Sequence, residues 1–121
     1  MITGVGTDLV EVARLERALA APGFADRYFT PGEQAHAAGK KNPAETLAAC
    51  FAAKEAFAKA LGTGFSGFFP GDVEVVWESG KPALVALGPA KERLGGRQAH
   101  LSLSHEGGLA LAFVVLEAVE K

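Results

Sequence analysis

Phe51-Ala-Ala-Lys-Glu-Ala-Phe-Ala-Lys59 sets two lysines and a glutamate within six residues of an otherwise apolar segment. Charged side chains are costly to bury unless they are paired or given a ligand, so the segment is a candidate for holding something charged. Its limits are written on either side. Asn42-Pro43-Ala44-Glu45 supplies an N-cap, a first-turn proline and a third-position glutamate that can reach back to the cap. Gly62 supplies a left-handed stop after Leu61. The sequence therefore predicts one long helix over 43–61. Leu47, Cys50, Phe57 and Leu61 recur on one stripe of it, with Lys54 in the middle. Ala49, Ala53, Ala56 and Ala60 form a small-residue face suited to close packing, and Glu55 and Lys59 project together one turn apart. Read on local grounds alone, Glu55 and Lys59 form an i,i+4 salt bridge and Lys54 snorkels outward. Cys50 reads as a packed small residue, not a reactive thiol.

Working outward, Ile2 to Thr7 alternates as a strand, and a first helix is expected from about Leu9 to Ala21, with Val12, Leu15 and Leu19 as its buried stripe. Thr30-Pro31-Gly32-Glu33 starts another helix that should end at Gly39. Beyond the long helix the period becomes two. Val73, Val75 and Trp77 share a strand face, and Ser79-Gly80-Lys81-Pro82 turns into a strand over 83–87. A short helical turn over 89–94 precedes a strand at Leu101–Ser104, a turn at His105–Gly108 and a strand at Leu109–Leu116. Tight turns favour antiparallel pairing. The expected class is α+β, with an antiparallel sheet packed against the long central helix and shorter N-terminal helices, in a single domain over 1–121. Leu109–Leu116 is apolar on both parities, so both of its faces should be covered.

Composition narrows the function classes. A chain of 121 residues that is 49% apolar, with 15 glycines, fits a globular domain with one core. Its formal charge of −2 carries no basic footprint for nucleic acid. No apolar run reaches membrane-spanning length and the first residues lack a signal-peptide pattern. A single cysteine suits a reducing compartment, so a cytoplasmic location is expected.

Three further segments could carry chemistry. In Gly4-Val-Gly-Thr-Asp8, the strand alternation puts Gly4, Gly6 and Asp8 on one face, which permits close backbone approach by a ligand or a helix. Asp8 with Glu11 also reads as a capping pair for the first helix, and a cap and a metal ligand are not exclusive. Gly62-Thr-Gly-Phe-Ser-Gly67 has the G-x-G-x-x-G spacing but follows a helix, so a dinucleotide site fails its context. A phosphate-cradling turn and a plain helix-terminating loop both stay open. Ser102-Leu-Ser-His105 delivers a histidine beside a glycine turn. Adjacent strand residues do not form a nucleophile–base geometry, which removes a hydrolase. The histidine is left as a phosphate donor or as a turn residue without a task. His36 and His100 read as surface residues, and no Cys or His pair has zinc spacing.

Taken together, Gly4-Val-Gly-Thr-Asp8 with Glu11 and Arg14, then Phe51 to Lys59, Gly62-Thr63-Gly64, Asp72-Val-Glu-Val75, Gly80-Lys81-Pro82 and Ser102-Leu-Ser-His105, in this order over nearly the whole chain, resemble the holo-acyl-carrier-protein synthases. These are the short bacterial type of 4′-phosphopantetheinyl transferase. The resemblance implies transfer of the 4′-phosphopantetheine arm of coenzyme A to a serine of apo acyl carrier protein, leaving 3′,5′-ADP, as in fatty acid biosynthesis. Whether the carrier serves fatty-acid or polyketide synthesis is not written in the residues. By the same resemblance Asp8 and Glu55 are ligands of Mg2+, which takes few protein carboxylates and fills its shell with water or phosphate oxygens. Lys59 adds positive charge to the diphosphate, and Lys54 does so or holds the local fold. Gly62, Thr63 and Gly64 line the cofactor. His105 sits near the adenosine 3′-phosphate, with Lys81 and Pro82 at the same substrate. Glu55 itself or a metal-bound water takes the serine proton.

The resemblance also assigns Arg14 and Arg17 to docking an acidic carrier-protein helix, against the alternative of solvated arginines paired with Glu11 and Glu16. It implies a homotrimer with active sites between subunits, Asp8 and Glu55 of one facing Gly80–Pro82 or His105 of another. One position departs from the pattern. Relatives usually carry a basic residue where this chain has Cys50, and Lys40 and Lys41 are the nearest cations that could replace it. A second function class stays open, a coenzyme A- or phosphate-binding module without transferase activity. Binding needs only the glycine loop and basic side chains, whereas transfer needs both carboxylates.

Overall fold

A computed structural model describes residues 1–119. The elements in chain order are β1 (Ile2–Glu11), α1 (Val12–Leu19), α2 (Phe24–Tyr28), α3 (Pro31–Ala38), α4 (Pro43–Leu61), β2 (Val73–Glu78), β3 (Lys81–Ala86), α5 (Gly88–Leu94), β4 (Gln98–Glu106) and β5 (Leu109–Glu117). The α+β class expected from the sequence holds. Its β part is two antiparallel sheets and not one: β1-β5-β4, and the separate hairpin β2-β3.

The central helix α4 has the limits its caps dictate. The Asn42 side chain accepts from the Glu45 backbone N–H at 3.3 Å, and Gly62 closes the helix at φ 81°. Most of α4 is buried: Ala48, Cys50, Ala52, Ala53, Ala56 and Phe57 have no exposed surface. One side of it lies on the β1-β5-β4 sheet, meeting Ala110, Ala112, Val114 and Leu116 of β5, all fully buried. Thr30 and Glu33 form the reciprocal capping box expected at the start of α3.

The contact that fixes β1 on α4 is made by backbone. A Cβ added at Gly4 would run into the Ala60 carbonyl oxygen, and one at Gly6 into the Ala56 carbonyl oxygen. Only glycine fits at either position. Two strand residues rise by about 6.8 Å and four helix residues by about 6 Å, so the contact repeats nearly in step. The next residue on that strand face is Asp8, which is thus carried to the following turn of α4.

Three boundaries that bear on the site differ from the sequence reading, and strand pairing decides each. The first helix does not begin near Leu9, because β1 continues to Glu11 by pairing Leu9 with Leu111 and Glu11 with Leu109. Asp8 is therefore a strand residue and not a cap; the Val12 N–H at the start of α1 bonds the Gly108 carbonyl at 2.9 Å instead. Lys81 and Pro82 belong to β3, since the hairpin turns on Ser79 and Gly80 alone, both at positive φ. His105 likewise lies within β4, opposite Ala110, with Gly107 and Gly108 as the whole turn.

β5 has one covered face. Leu109, Leu111 and Phe113 point to the other side, where Val5 and Leu9 of β1 are also more than half exposed. Gly6→Ala should destabilise the protein by about 3 kcal/mol or more, as overpacking against an immovable carbonyl does. Urea denaturation measures it, and a loss below 1 kcal/mol would mean that β1 and α4 can separate cheaply.

Candidate active site

β1 and α4 bring Asp8 and Glu55 to one cleft of about 450 Å³, lined also by Glu11, Arg14, Phe24 and Phe51. Both carboxylates are partly covered. Burial pushes the Glu55 carboxyl above its ordinary value, the Asp8 charge pushes it the same way, and Lys59 opposes both. The two acids thus sense each other. Lys59 reaches back toward the helix N-terminus, as helical side chains do, and its ammonium bonds Asp8 Oδ1 at 3.1 Å and the Thr7 carbonyl at 3.0 Å. The i,i+4 pair with Glu55 expected from spacing is replaced by this longer-range one. Lys59 stays half exposed, open to a further partner on its solvent side.

Lys54 has a different task from the one at the cofactor. Its side chain is 1% exposed, its ammonium lies 2.9 Å from Glu33 Oε1, and it donates to the carbonyls of Pro70 (3.0 Å) and Val73. Glu33, with no exposed surface, also accepts from the backbone N–H of Thr30 at 2.9 Å and of Val75 at 2.7 Å. Every charge-bearing atom of the pair has a protein partner, which is the condition for burying it. Lys54 therefore ties α3, α4 and the start of β2 together and does not face ligand. Neither snorkelling nor diphosphate contact describes it.

A second, open cleft of about 900 Å³ lies toward the N-terminal end of α4. Lys40, Lys41, Pro82 and His105 line it, so the histidine and the two nearest lysines share one cleft. Sequence reasoning missed two of its walls. His36 stacks on Trp77 with ring centroids 3.7 Å apart and planes 9° apart. Burial lowers the His36 pKa from its ordinary value, and the Lys40 charge lowers it further. Glu45 does not reach back to its cap; its Oε2 lies 3.4 Å from His105 Nδ1. No local pattern could have announced either contact, because both join separate elements.

Other predicted site residues fall outside these clefts. Lys81 is exposed beside the hairpin tip, where Gly80 and Pro82 but not Lys81 line the basic cleft. Gly62, Thr63 and Gly64 form an exposed loop just after Lys59, with both glycines at positive φ. Arg14 and Arg17 are exposed on α1 and form no salt bridge with Glu11 or Glu16; Arg14 alone borders the acidic cleft. Cys50 has no exposed surface and sits within range of the Glu33 and Lys54 charges, so position 50 faces the core and not the basic cleft. Burial raises its thiol pKa far above the ordinary range, which leaves it inert.

Among the described residues no cluster of three or more acidic, histidine or cysteine side chains could enclose a metal. Asp8 and Glu55 still fit a hard divalent ion of the kind that binds through one or two carboxylates plus phosphate oxygens. Their mutual charge, only partly met by Lys59, is what such an ion would neutralise.

An α+β chain with an acidic pair on one cleft and lysines and histidine on another is laid out to bind a phosphate ester. The chain belongs to the 4′-phosphopantetheinyl transferase superfamily, whose family model matches residues 4–114. It is 46% identical to the holo-[acyl-carrier-protein] synthase of Xanthobacter autotrophicus, over 100% of this chain and 98% of that protein. The holo-(acyl-carrier-protein) synthase of Bacillus anthracis, solved in complex with CoA (3′,5′-ADP), superposes with a TM-score of 0.84 at 38% identity, covering 98% of this chain and 99% of that one. The Neisseria meningitidis synthase gives 0.85 at 39% identity, covering 98% and 100%.

The ion pair beneath the site yields a stability prediction. Lys54→Met leaves the Glu33 carboxylate buried without its cation and should cost about 3–5 kcal/mol. Adding Glu33→Gln should recover part of that loss in urea denaturation, whereas a further full-sized loss would show that the two side chains act independently.

Proposed function

We propose that this protein transfers the 4′-phosphopantetheine arm of coenzyme A to a serine hydroxyl of apo acyl carrier protein, with Mg2+ held by Asp8 and Glu55. The observation that carries the reading is the convergence of Asp8, Glu55 and Lys59 from a strand and a helix in a chain of this family. In the reaction the serine oxygen attacks the phosphorus that bears the pantetheine arm. A new P–O bond forms, the bond to the bridging oxygen breaks, and 3′,5′-ADP leaves with the electron pair. The serine proton passes to a base, for which Glu55 is the candidate on this chain. The bound cation would neutralise charge on the diphosphate oxygens.

The protein's own groups do the rest. Lys59, tethered at Asp8 and half exposed, meets the same diphosphate. The Gly62–Gly64 loop, directly behind Lys59, offers the backbone of two glycines and the Thr63 hydroxyl to the cofactor. Lys40, Lys41 and His105 take the adenosine 3′-phosphate in the basic cleft. Exposed Arg14 and Arg17 meet the acidic carrier, Arg14 from the rim of the acidic cleft itself. A non-catalytic binding module would have no use for two carboxylates brought to one cleft from a strand and a helix.

The uncovered sheet face supports assembly as a homotrimer. Val5 and Leu9 of β1 lie beside Leu109, Leu111 and Phe113 of β5, an apolar stripe that a second copy would cover. Such packing would let one subunit's acidic cleft meet a neighbour's basic cleft, and we assign the work to the cytoplasm. Phe113→Asp should convert the trimer to smaller species and abolish transfer; light scattering that finds wild-type mass in the variant would refute this interface.

Intact-mass analysis of apo carrier protein, incubated with this protein, coenzyme A and magnesium, tests the activity. One added phosphopantetheine, absent with EDTA, is the expected result. Asp8→Ala and Glu55→Ala should each lower turnover by at least about a hundredfold while keeping a wild-type circular dichroism spectrum. Undiminished turnover in both would remove the assigned mechanism.

A further inference from the structure

Glu45 is the one carboxylate lining the basic cleft, in company with Lys40, Lys41 and His105. An acid there would repel a phosphate unless it acts on something else. Its Oε2 lies 3.4 Å from His105 Nδ1, and no other side chain forms an ion pair or hydrogen bond with that ring among the described residues. Its own backbone N–H is already held by Asn42 Oδ1, which anchors the residue on the first turn of α4. Helix and strand are both regular at this point: Glu45 is fixed by the cap, and His105 by pairing opposite Ala110. The His105 side chain is 60% exposed, and Glu45 is its one ion-pair partner among the described residues.

We propose that Glu45 is a positioning residue that sets the coenzyme A specificity of this site, by holding His105 Nδ1 so that Nε2 is presented to the adenosine 3′-phosphate. Imidazole nitrogens are not equivalent, and the one facing a carboxylate fixes what the other can offer. With Nδ1 facing Glu45, Nε2 is the nitrogen left for a phosphate in the cleft that Lys40 and Lys41 also line. A histidine that gives N–H groups to a carboxylate and a phosphate together is the imidazolium, since both of its nitrogens must donate. Glu45 therefore strengthens binding of one phosphate in spite of its own charge, and only of that phosphate. The inference rests on the reading that His105 takes the 3′-phosphate.

The test compares coenzyme A with 3′-dephospho-coenzyme A, which differs by that phosphate alone. Trp77 is the only tryptophan of the chain and lines the same cleft, so its fluorescence reports binding of either ligand without any need for turnover. Wild-type protein should prefer coenzyme A. His105→Ala should cut the preference by about tenfold or more, and Glu45→Gln by about fivefold, as for loss of a charge-assisted hydrogen bond or of the group that orients it. Glu45→Asp, which keeps the carboxylate on a shorter arm, should fall between Glu45→Gln and wild type. A general loosening of α4 would weaken both ligands alike and leave the ratio where it was, and that result overturns the proposal. A collapse of the ratio in His105→Ala with none in Glu45→Gln also overturns it while sparing the role of His105. A ratio unmoved in His105→Ala removes the underlying reading, and the proposal goes with it.

Discussion

Backbone contact between a strand and a helix is the constraint from which the site follows. Gly4 and Gly6 let β1 lie directly on the carbonyls of Ala60 and Ala56, closer than any side chain allows. Because two strand residues and four helix residues span nearly the same rise, the register that seats Gly4 also seats Gly6 and carries Asp8 to the next turn. No loop intervenes between the packing contact and the acid. A carboxylate on a regular strand, set against another on a regular helix, keeps its spacing far better than two loop residues would. The electrostatic cost of setting Asp8 near Glu55 is then borne by packing, and offset in part by Lys59.

The two lysines of the central helix show how one motif divides its work. They stand five residues apart, far enough around the helix for one to face the core and the other the cleft. Lys54 meets Glu33, Pro70 and Val73, oxygens contributed by three different segments, and becomes part of the frame. Lys59 meets Asp8 and Thr7 at the edge of solvent, and keeps the exposure that a ligand-binding cation needs. The neighbouring position, Cys50, belongs with Lys54: it is buried beside the same pair, and a basic residue there would enter the core near Glu33 and not the basic cleft.

Local signals were legible wherever a feature is decided locally. The limits of α4 at Pro43 and Leu61 are set by Asn42 and Gly62, each acting within a turn of itself. The small-residue face at Ala56 and Ala60 and the glycine face at Gly4 and Gly6 could each be read, although which would meet which could not. Features decided by distant partners were not legible. β1 runs on to Glu11 because β5 is there to pair with it, and Asp8 loses its capping role because Gly108 supplies the oxygen for Val12. The burial of Lys54 was foreshadowed by its place in an apolar stripe, but its partner lies on another helix, and periodicity speaks only of its own element. The same holds for Glu45, whose spacing to Asn42 fits a capping box while its carboxylate in fact turns to His105.

The site residues also explain why a single copy of this chain would be poorly equipped for a large substrate. Glu45 and Glu55 are ten residues apart on one rigid helix, about 15 Å along its axis, and they belong to different clefts. Among the described residues no lysine lines the acidic cleft, with Lys59 reaching it through Asp8, and no second carboxylate lines the basic cleft beside Glu45. The helix between them cannot bend to close the gap, since Lys54 and the glycine contacts hold it at its middle and its end. If the proposed function holds, rigidity that fixes each half of the machinery so firmly makes assembly the means of joining them. The uncovered face of β1 and β5 is the surface on which copies can meet, and β1 carries Leu9 outward on that face immediately after Asp8. In the proposed trimer the strand that positions the acid is therefore the strand that contacts the neighbour, so assembly and the completion of the site are a single event.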